Sequence, residues 1–419
     1  MLTPDAPVTE LFLELVRIPS PSGRERALAD EIRAWLGAAG VSAELDGAGA
    51  LNDSDAGNLI ATVPGASGAP ALLFVAHMDT VESGTRAVAP AIGDDGVIRS
   101  DGETILGADN KAAVAAVMRL CASLAQRVRG EREGGRAGRR TPTVIAAFTC
   151  REESGRMGAG LLDAQLLAGV DCAFCVDGAK PVGTAITRAL GQAAYSFAVH
   201  GRAAHAAANP EVGISAIRIA AEIVAALDLG RLPGGGSASV AAIAGGGVLD
   251  RLSAAAQATL GIDRDAAGRD AVRIAIDATP TNSVPDLAIV RGEVRGFTAE
   301  EMDGALARVR ETAERVCGAH GAACEWRRDQ TRAVPPFPGI EGSRALELAR
   351  RGAASVPRLQ FKAEQRHATL EANHLAAATD VVALATGSRD PHQLAESIPT
   401  AELERLEALL AAIVDASTE

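Results

Sequence analysis

The chain has 419 residues, which at roughly 150 residues per domain implies two to three domains and excludes a single small module. Hydrophobic residues make up 47% and charged residues 22%, the balance of a folded globular protein, so disorder is excluded as the default. Acidic residues outnumber basic ones 53 to 41, a formal net charge of −12, and aromatics are few (eight Phe, two Trp, one Tyr), which argues against a nucleic-acid partner.

The opening MLTPDAPVTELFLELV lacks the basic start and small-residue cleavage site of a secretory signal, and no run of about 18 apolar residues follows, so a cytoplasmic location without a membrane partner is expected. Residues 9–17 predict a short helix stopped by Pro19 and Pro21, and residues 23–40 a second, amphipathic one. Short apolar runs then alternate with helical patterns: ALLFVA (71–76), a helix from about Asn110 to Gln126, TVIAAFT (143–149), a helix near 157–168, and CAFCV (172–176). That rhythm belongs to a mostly parallel α/β sheet. The arginine-rich stretch from Arg127 to Arg140 reads as a solvated loop. The six cysteines are dispersed, and the one CxxC, Cys172 and Cys175, lies in an apolar run. Reduced, buried thiols are therefore expected rather than a zinc or redox motif.

From Thr187 the pattern changes. Strand-like segments at 193–201, 237–244 and 287–297 are separated by a helix with Ile214, Ile217, Ala221 and Val224 on its apolar face, and a helix follows from about Thr298 to His320. This predicts an inserted α+β domain with an antiparallel sheet. Residues 246–280, rich in Gly, Ala and Asp, carry no readable role. Near Pro335 to Pro338 the chain returns to the first domain, which VVALATG (381–387) and a final helix bearing Leu403, Leu406, Leu410 and Ile413 complete. The expected division is 1–187 and 335–419 for one domain, and 188–334 for the insert.

Ligands of open α/β sheets gather at the carboxyl ends of the strands. Four predicted strands end in chemistry: ALLFVA in His77 and Asp79, TVIAAFT in Glu152 and Glu153, CAFCV in Asp177, and VVALATG, after a short loop, in His392. Asp109 precedes a helix, where it can cap the first turn or face the same cleft. Taken singly each has an ordinary structural explanation. Converging, their carboxylates repel one another unless a cation intervenes. Three ligating carboxylates and a hydroxide carry about four negative charges, which two divalent ions balance. Mixed imidazole and carboxylate ligation suits Zn(II), with Co(II) or Mn(II) as substitutes.

At these residues the chain resembles the M-twenty (M20) metallopeptidases, the superfamily of zinc aminopeptidases, carboxypeptidases and aminoacylases, and within it the peptidase T-like branch. ELVRIPSPSGRE (14–25) resembles the family's opening helix and turn, AHMDTV (76–81) and ILGADNKAAVAA (105–116) its first two metal motifs, and REESG (151–155) its glutamate pair. VDG (176–178) resembles the third-ligand turn and GRAAHAA (201–207) the histidine motif of the lid. The resemblance implies a zinc-exopeptidase-like catalytic domain with an inserted lid that also forms a homodimer. It implies that His77, Asp109 and Asp177 hold one zinc and Asp109, Glu153 and His392 the other, with Asp79 orienting His77. Glu152 would be the general base toward a metal-bridging hydroxide, His205 an oxyanion donor reaching a neighbouring subunit, and Asn282 and Arg295 the binders of the substrate's terminal carboxylate.

The chain also departs from that pattern. ATLEAN (368–373) stands where the family has a GGSDAN-like run, and Asn110 replaces a frequent second Asp. His367 and His374 are rival imidazoles to His392, which is preferred because it follows a strand and has Glu396 at the family's spacing. The leading expectation is a cytoplasmic dizinc aminopeptidase acting on short peptides: the five-ligand set with Glu152 motivates it, and the resemblance adds that Asp rather than Glu at position 177 accompanies aminopeptidases among the relatives. A deacylase acting on an N-acyl amino acid is the same-chemistry alternative, and a non-catalytic metal-binding dimer the third.

Overall fold

The computed structural model describes residues 2–81, 86–133, 141–155, 158–246, 276–277, 279, 281–340 and 342–418. Two compact units form: Met1–Ala189 with Phe337–Glu419, and Leu190–Pro336. The expected α/β class holds for the first and the α+β pattern for the second.

An eight-stranded mixed sheet forms the first unit, in the order Ala43–Leu45, Leu59–Val63, Thr143–Thr149, Ala71–His77, Cys172–Val176, Val381–Leu384, Thr184–Ala189, Lys362–Arg366. The four strands from Thr143–Thr149 to Val381–Leu384 are consecutive neighbours and all parallel. Their apolar residues alternate between two cores: Leu72, Phe74 and Ala76 face one, Leu73 and Val75 the other. Burial on both faces is why these strands read as unbroken apolar runs. Against the first face lies the helix Ala108–Glu133, whose residues from Ala112 to Met118 are wholly buried. Its many alanines allow that, because small side chains let neighbours pack close to the backbone. The helices Val8–Val16 and Thr400–Ala416 pack on it through Leu11, Phe12 and Leu15 and through Leu403, Leu406, Leu410 and Ile413, each set at the spacing of one helical face. Phe74 and Phe174 stack at 5.0 Å between neighbouring strands.

In the second unit a five-stranded antiparallel sheet runs Gly230–Arg231, Ser237–Gly245, Leu287–Gly296, Gly191–His200, Ala323–Val334. Alternate residues Ala193, Tyr195, Phe197 and Val199 join a core with the helices Ala216–Ala226 and Ala299–Ala319.

Several expected elements are corrected. The first of those helices begins only after Ser215, whose hydroxyl caps Arg218 N–H, and Ile214 pairs with Arg202 in an extended bridge. Its buried face is Ala216, Ile219, Ala220 and Ile223, the side packed in the core of the second unit, and Ile217 is left exposed. The helix expected near 157–168 is a single 3-10 turn, Ala159–Leu161, and a short helix, Ala164–Ala168, capped by Asp163. The strand expected over 381–387 stops at Leu384, and the helix expected from about Asn110 to Gln126 runs instead over Ala108–Glu133, so residues 127–133 are helical rather than the loop expected there. Nearly all of residues 246–280, and the whole of the arginine-rich segment after Glu133 (134–140), lie outside the described residues.

All six cysteines are free thiols. Cys172 and Cys175, three apart on one strand, face opposite cores, and burial pushes the Cys172 thiol up to about 12. No helix among the described residues is long and apolar enough to cross a membrane.

The two tryptophans report on separate units, Trp35 buried in the first and Trp326 stacked on Tyr195 in the second. Truncating Phe174 to Ala should destabilise the first unit by about 3–5 kcal/mol. Urea unfolding read from Trp35 in a Trp326→Phe background should show it, and an unshifted midpoint would mean that the stacked pair is not part of a tightly packed core.

Candidate metal centre

Because the four parallel strands are adjacent, the residues that follow them emerge at one edge of the sheet. His77 is the last residue of its strand, Asp177 follows Val176 directly, and Glu152 and Glu153 lie three and four residues beyond Thr149. His392 comes from the loop after Leu384 and has a left-handed backbone, φ 65°, as does Asp390 at 51°. Asp109 sits in a non-helical kink at the start of Ala108–Glu133, with φ −84° and ψ 100°, and its peptide bond to Asn110 is cis.

Donor atoms of His77, Asp109 and Asp177 lie within 4.8 Å of one another, and so do those of Asp109, Glu153 and His392. Asp109 belongs to both groups. Its Oδ1 is 3.2 Å from His77 Nε2 and its Oδ2 is 3.6 Å from His392 Nε2, whose other neighbour is Glu153 Oε1 at 2.8 Å. A third group joins His77, Glu152 and Glu153.

Asp79, wholly buried, supports the centre from behind. His77 Nδ1 faces the Asp79 carbonyl oxygen at 3.0 Å and the Asp79 carboxylate at 3.6 Å, which leaves Nε2 for the centre. The same carboxylate accepts the backbone N–H of Glu152 at 2.9 Å, that of Glu153 at 3.0 Å, and the Ser22 hydroxyl. Burial alone would raise its pKa, but the partnership with His77 and these donors hold it below the usual carboxylate range.

The chemistry of this donor set fits divalent ions. Burial disfavours a charged His77, yet the flanking Asp109 and Asp79 carboxylates outweigh it and hold the ring well above its ordinary pKa. Asp109 and Glu153 raise His392 to about 10. The carboxylates thus favour positive charge on both imidazoles, at the atoms from which a metal would be bound.

Sequence reasoning left other residues of this site without a role. Glu396, buried on the loop that carries His392, accepts the backbone N–H groups of Gly107 at 2.7 Å and Asp109 at 2.8 Å, and so fixes the kink presenting Asp109. Burial pushes its carboxyl up to about 7. Lys111 donates to the Ile18 carbonyl at 2.6 Å, and Asn110 Nδ2 to the Val176 carbonyl at 2.8 Å, tying the kink to its surroundings. Arg366, at the end of Lys362–Arg366, has Nη1 3.9 Å from Asp177 Oδ2. That strand is KAEQR, too polar to announce itself by apolar pattern, and it runs antiparallel to the four parallel strands, so the strand-end rule does not point to its last residue.

His205, Asn282 and Arg295 belong to the second unit. His205 is exposed on the short strand Ala204–His205, and its Nδ1 accepts the N–H groups of Ala207 and Ala208, each at 3.1 Å. The exposed Asn282 meets the same loop through its carbonyl, which accepts Ala206 N–H at 2.9 Å. Arg295 donates to Glu293 at 2.7 Å along its own strand.

Such a centre, where parallel strands end, has the donor set of a metal-dependent hydrolase. Residues 189–320 match the family model of the peptidase dimerisation domain of M20 peptidases, and residues 58–211 match that of peptidase family M28. The structure is similar to that of the aminopeptidase PepT from Bacillus cereus, with 28% identity, a TM-score of 0.80 and 98% of each chain covered. It is similar also to a tripeptidase from Staphylococcus aureus, with 25% identity, a TM-score of 0.81 and 98% of each chain covered. The uncharacterized protein YqjE of Bacillus subtilis is 29% identical over 409 residues, 97% of each chain. The chain is similar to M20 peptidases along almost its whole length, and its match to their dimerisation domain and to aminopeptidase structures makes it a peptidase.

Two predictions follow from the geometry. A metal needs the unprotonated Nε2 of each ring. With His392 raised to about 10 and His77 raised from its ordinary value, metal uptake at pH 7 must release the His392 proton, and apparent affinity must rise as the pH approaches 10. Calorimetric titration of metal-free protein with Zn(II), in buffers of different ionisation enthalpy, should give buffer-dependent heats; identical heats would contradict the charge state described. Replacing Asp79 with Asn would set an amide N–H against backbone N–H groups in at least one of its contacts. Metal affinity or turnover should fall by about 10- to 100-fold, and unchanged metal titration and kinetics would show that Asp79 orients nothing.

Proposed function

We propose that this peptidase is a dinuclear exopeptidase that cleaves short peptides from their amino end. The observation that supports this most directly is the two-sided Asp109, with one oxygen toward each histidine. In this reading His77, Asp109 and Asp177 hold one divalent ion, and Asp109, Glu153 and His392 the other. The imidazole and carboxylate donors suit Zn(II), with Co(II) or Mn(II) as substitutes. Bound there, such ions supply Lewis-acid chemistry, polarising a carbonyl and bringing the pKa of water toward neutrality.

Glu152 is required by neither three-residue ligand set, yet it is buried beside His77. Its carboxylate takes a proton from the attacking water as the oxygen–carbon bond forms, and passes that proton to the amide nitrogen as the carbon–nitrogen bond breaks. The amine leaves neutral and the carboxylate is regenerated. Asp79 holds the backbone of this turn and the ring of His77 in register while that happens.

In the second unit the N–H bonds accepted by His205 Nδ1 put the ring proton on Nε2, which suits a donor toward a developing oxyanion. The match to a dimerisation domain supports a homodimer in which this donor serves a neighbouring subunit. Asn282 and Arg295 are assigned to the substrate's terminal carboxylate, a task for which a guanidinium fork is suited once Glu293 shares or yields it.

The Glu152→Gln variant should keep its fold and metal while turnover drops roughly 100- to 10,000-fold; wild-type rates would refute the assigned role. Unblocked di- and tripeptides should be cleaved in preference to N-acyl amino acids. Cleavage of the latter alone would reassign the site to deacylation.

A further inference from the structure

The turn that carries Glu152 is gripped by two carboxylates, and the mechanism above uses only one of them. Three consecutive backbone N–H groups, those of Arg151, Glu152 and Glu153, all point at buried acids. Asp79 accepts the second and third, and Glu25 Oε1 accepts the first at 3.0 Å. Glu25 has no exposed surface. Its donors are neutral: Gly23 N–H at 2.7 Å on the same oxygen and the Ser54 hydroxyl at 2.8 Å on the other. A buried carboxylate held this way costs desolvation that an apolar side chain would not, so filling space does not account for it.

What the carboxylate holds is a strained residue. Arg151 has φ 58°, the left-handed region that a long side chain rarely adopts, and it is the residue immediately before Glu152. Its side chain is anchored as well, to the Asn52 carbonyl and to the Ser154 hydroxyl at 3.0 Å. The segment Ser22–Glu25 therefore reaches both supports of the turn, Ser22 through Asp79 and Glu25 through Arg151.

We propose that Glu25 is a positioning residue for hydrolysis: by accepting the Arg151 N–H it holds the left-handed turn that sets where the Glu152 carboxylate stands. The proposal rests on the reading of Glu152 as the base. It makes Glu25 a partner of Asp79, with one carboxylate on each side of the same turn, and neither the strand-end rule nor a ligand motif points to it.

The test uses the metal-loaded enzyme and a tripeptide substrate. In Glu25→Ala, kcat should fall about 10- to 100-fold, the scale expected when a group one shell from the chemistry shifts, while KM and bound metal stay near the wild-type values. In Glu25→Gln the amide oxygen can still accept both N–H groups and the amide nitrogen can donate to Ser54, so kcat should recover to within about threefold of wild type. A group that served stability alone would lower the melting temperature without this split between kcat and KM. If the Ala variant does not fold, Glu25→Asp decides. It keeps the charge, withdraws the carboxyl from Arg151, and should still lose kcat. Wild-type kcat in the Ala or Asp variant, a loss explained by missing metal, or no rescue by Gln would overturn the assignment. Should Glu152→Gln itself turn over normally, the general-base reading fails first. If that variant is dead while Glu25→Ala runs at the wild-type rate, only the role of Glu25 is lost.

Discussion

Like charges brought together at the edge of a sheet set the terms for the rest of this structure. Asp79, Asp109, the adjacent Glu152 and Glu153, and Asp177 come from four separate segments, and parallel neighbouring strands leave them little room to separate. Such a group is unstable in a low dielectric without positive charge. The two imidazoles are the nearest groups that can supply some of it, and the carboxylates around them raise their affinity for protons. Asp109 matters most because it faces both histidines, so moving its kink would uncouple the two halves of the centre.

A second layer of buried acids explains how that crowding is held in place. Glu396 grips the backbone on which Asp109 sits, Asp79 grips Glu152, Glu153 and the back of His77, and Glu25 grips Arg151. Each acts on backbone N–H groups or on the far side of a ring. None needs to touch substrate. The arrangement spends buried charge on geometry, which fits a catalyst whose groups must stay within a fraction of an ångström of their working positions. Strain gathers in the same places: Arg151, Asp390 and His392 all have left-handed backbones.

The central sheet was legible in the sequence because burial on both faces writes strands as unbroken apolar runs, as in TVIAAFT and CAFCV. The polar residues after those runs stood out for the same reason, and the structure gathers His77, Asp177, Glu152, Glu153 and His392 at one edge. Polar strands were harder to see. KAEQR carries no apolar signal, so Arg366 went unnoticed. The buried face of the helix Ala216–Ala226 is not legible from sequence because apolar residues surround it, and packing against the sheet buries Ile219 and Ile223 rather than Ile217. Glu25, one residue before a helix, looks in sequence like an ordinary partner of the helix dipole, and nothing local shows that its carboxylate meets Arg151, 126 positions away.

Anomalous diffraction from crystals of the active, metal-loaded enzyme addresses the central claim most directly. The account predicts two peaks, one within reach of His77, Asp109 and Asp177 and the other within reach of Asp109, Glu153 and His392, with Asp109 common to both. Fully active protein with no peak at this edge of the sheet, or with one ion that leaves either histidine unligated, would contradict it.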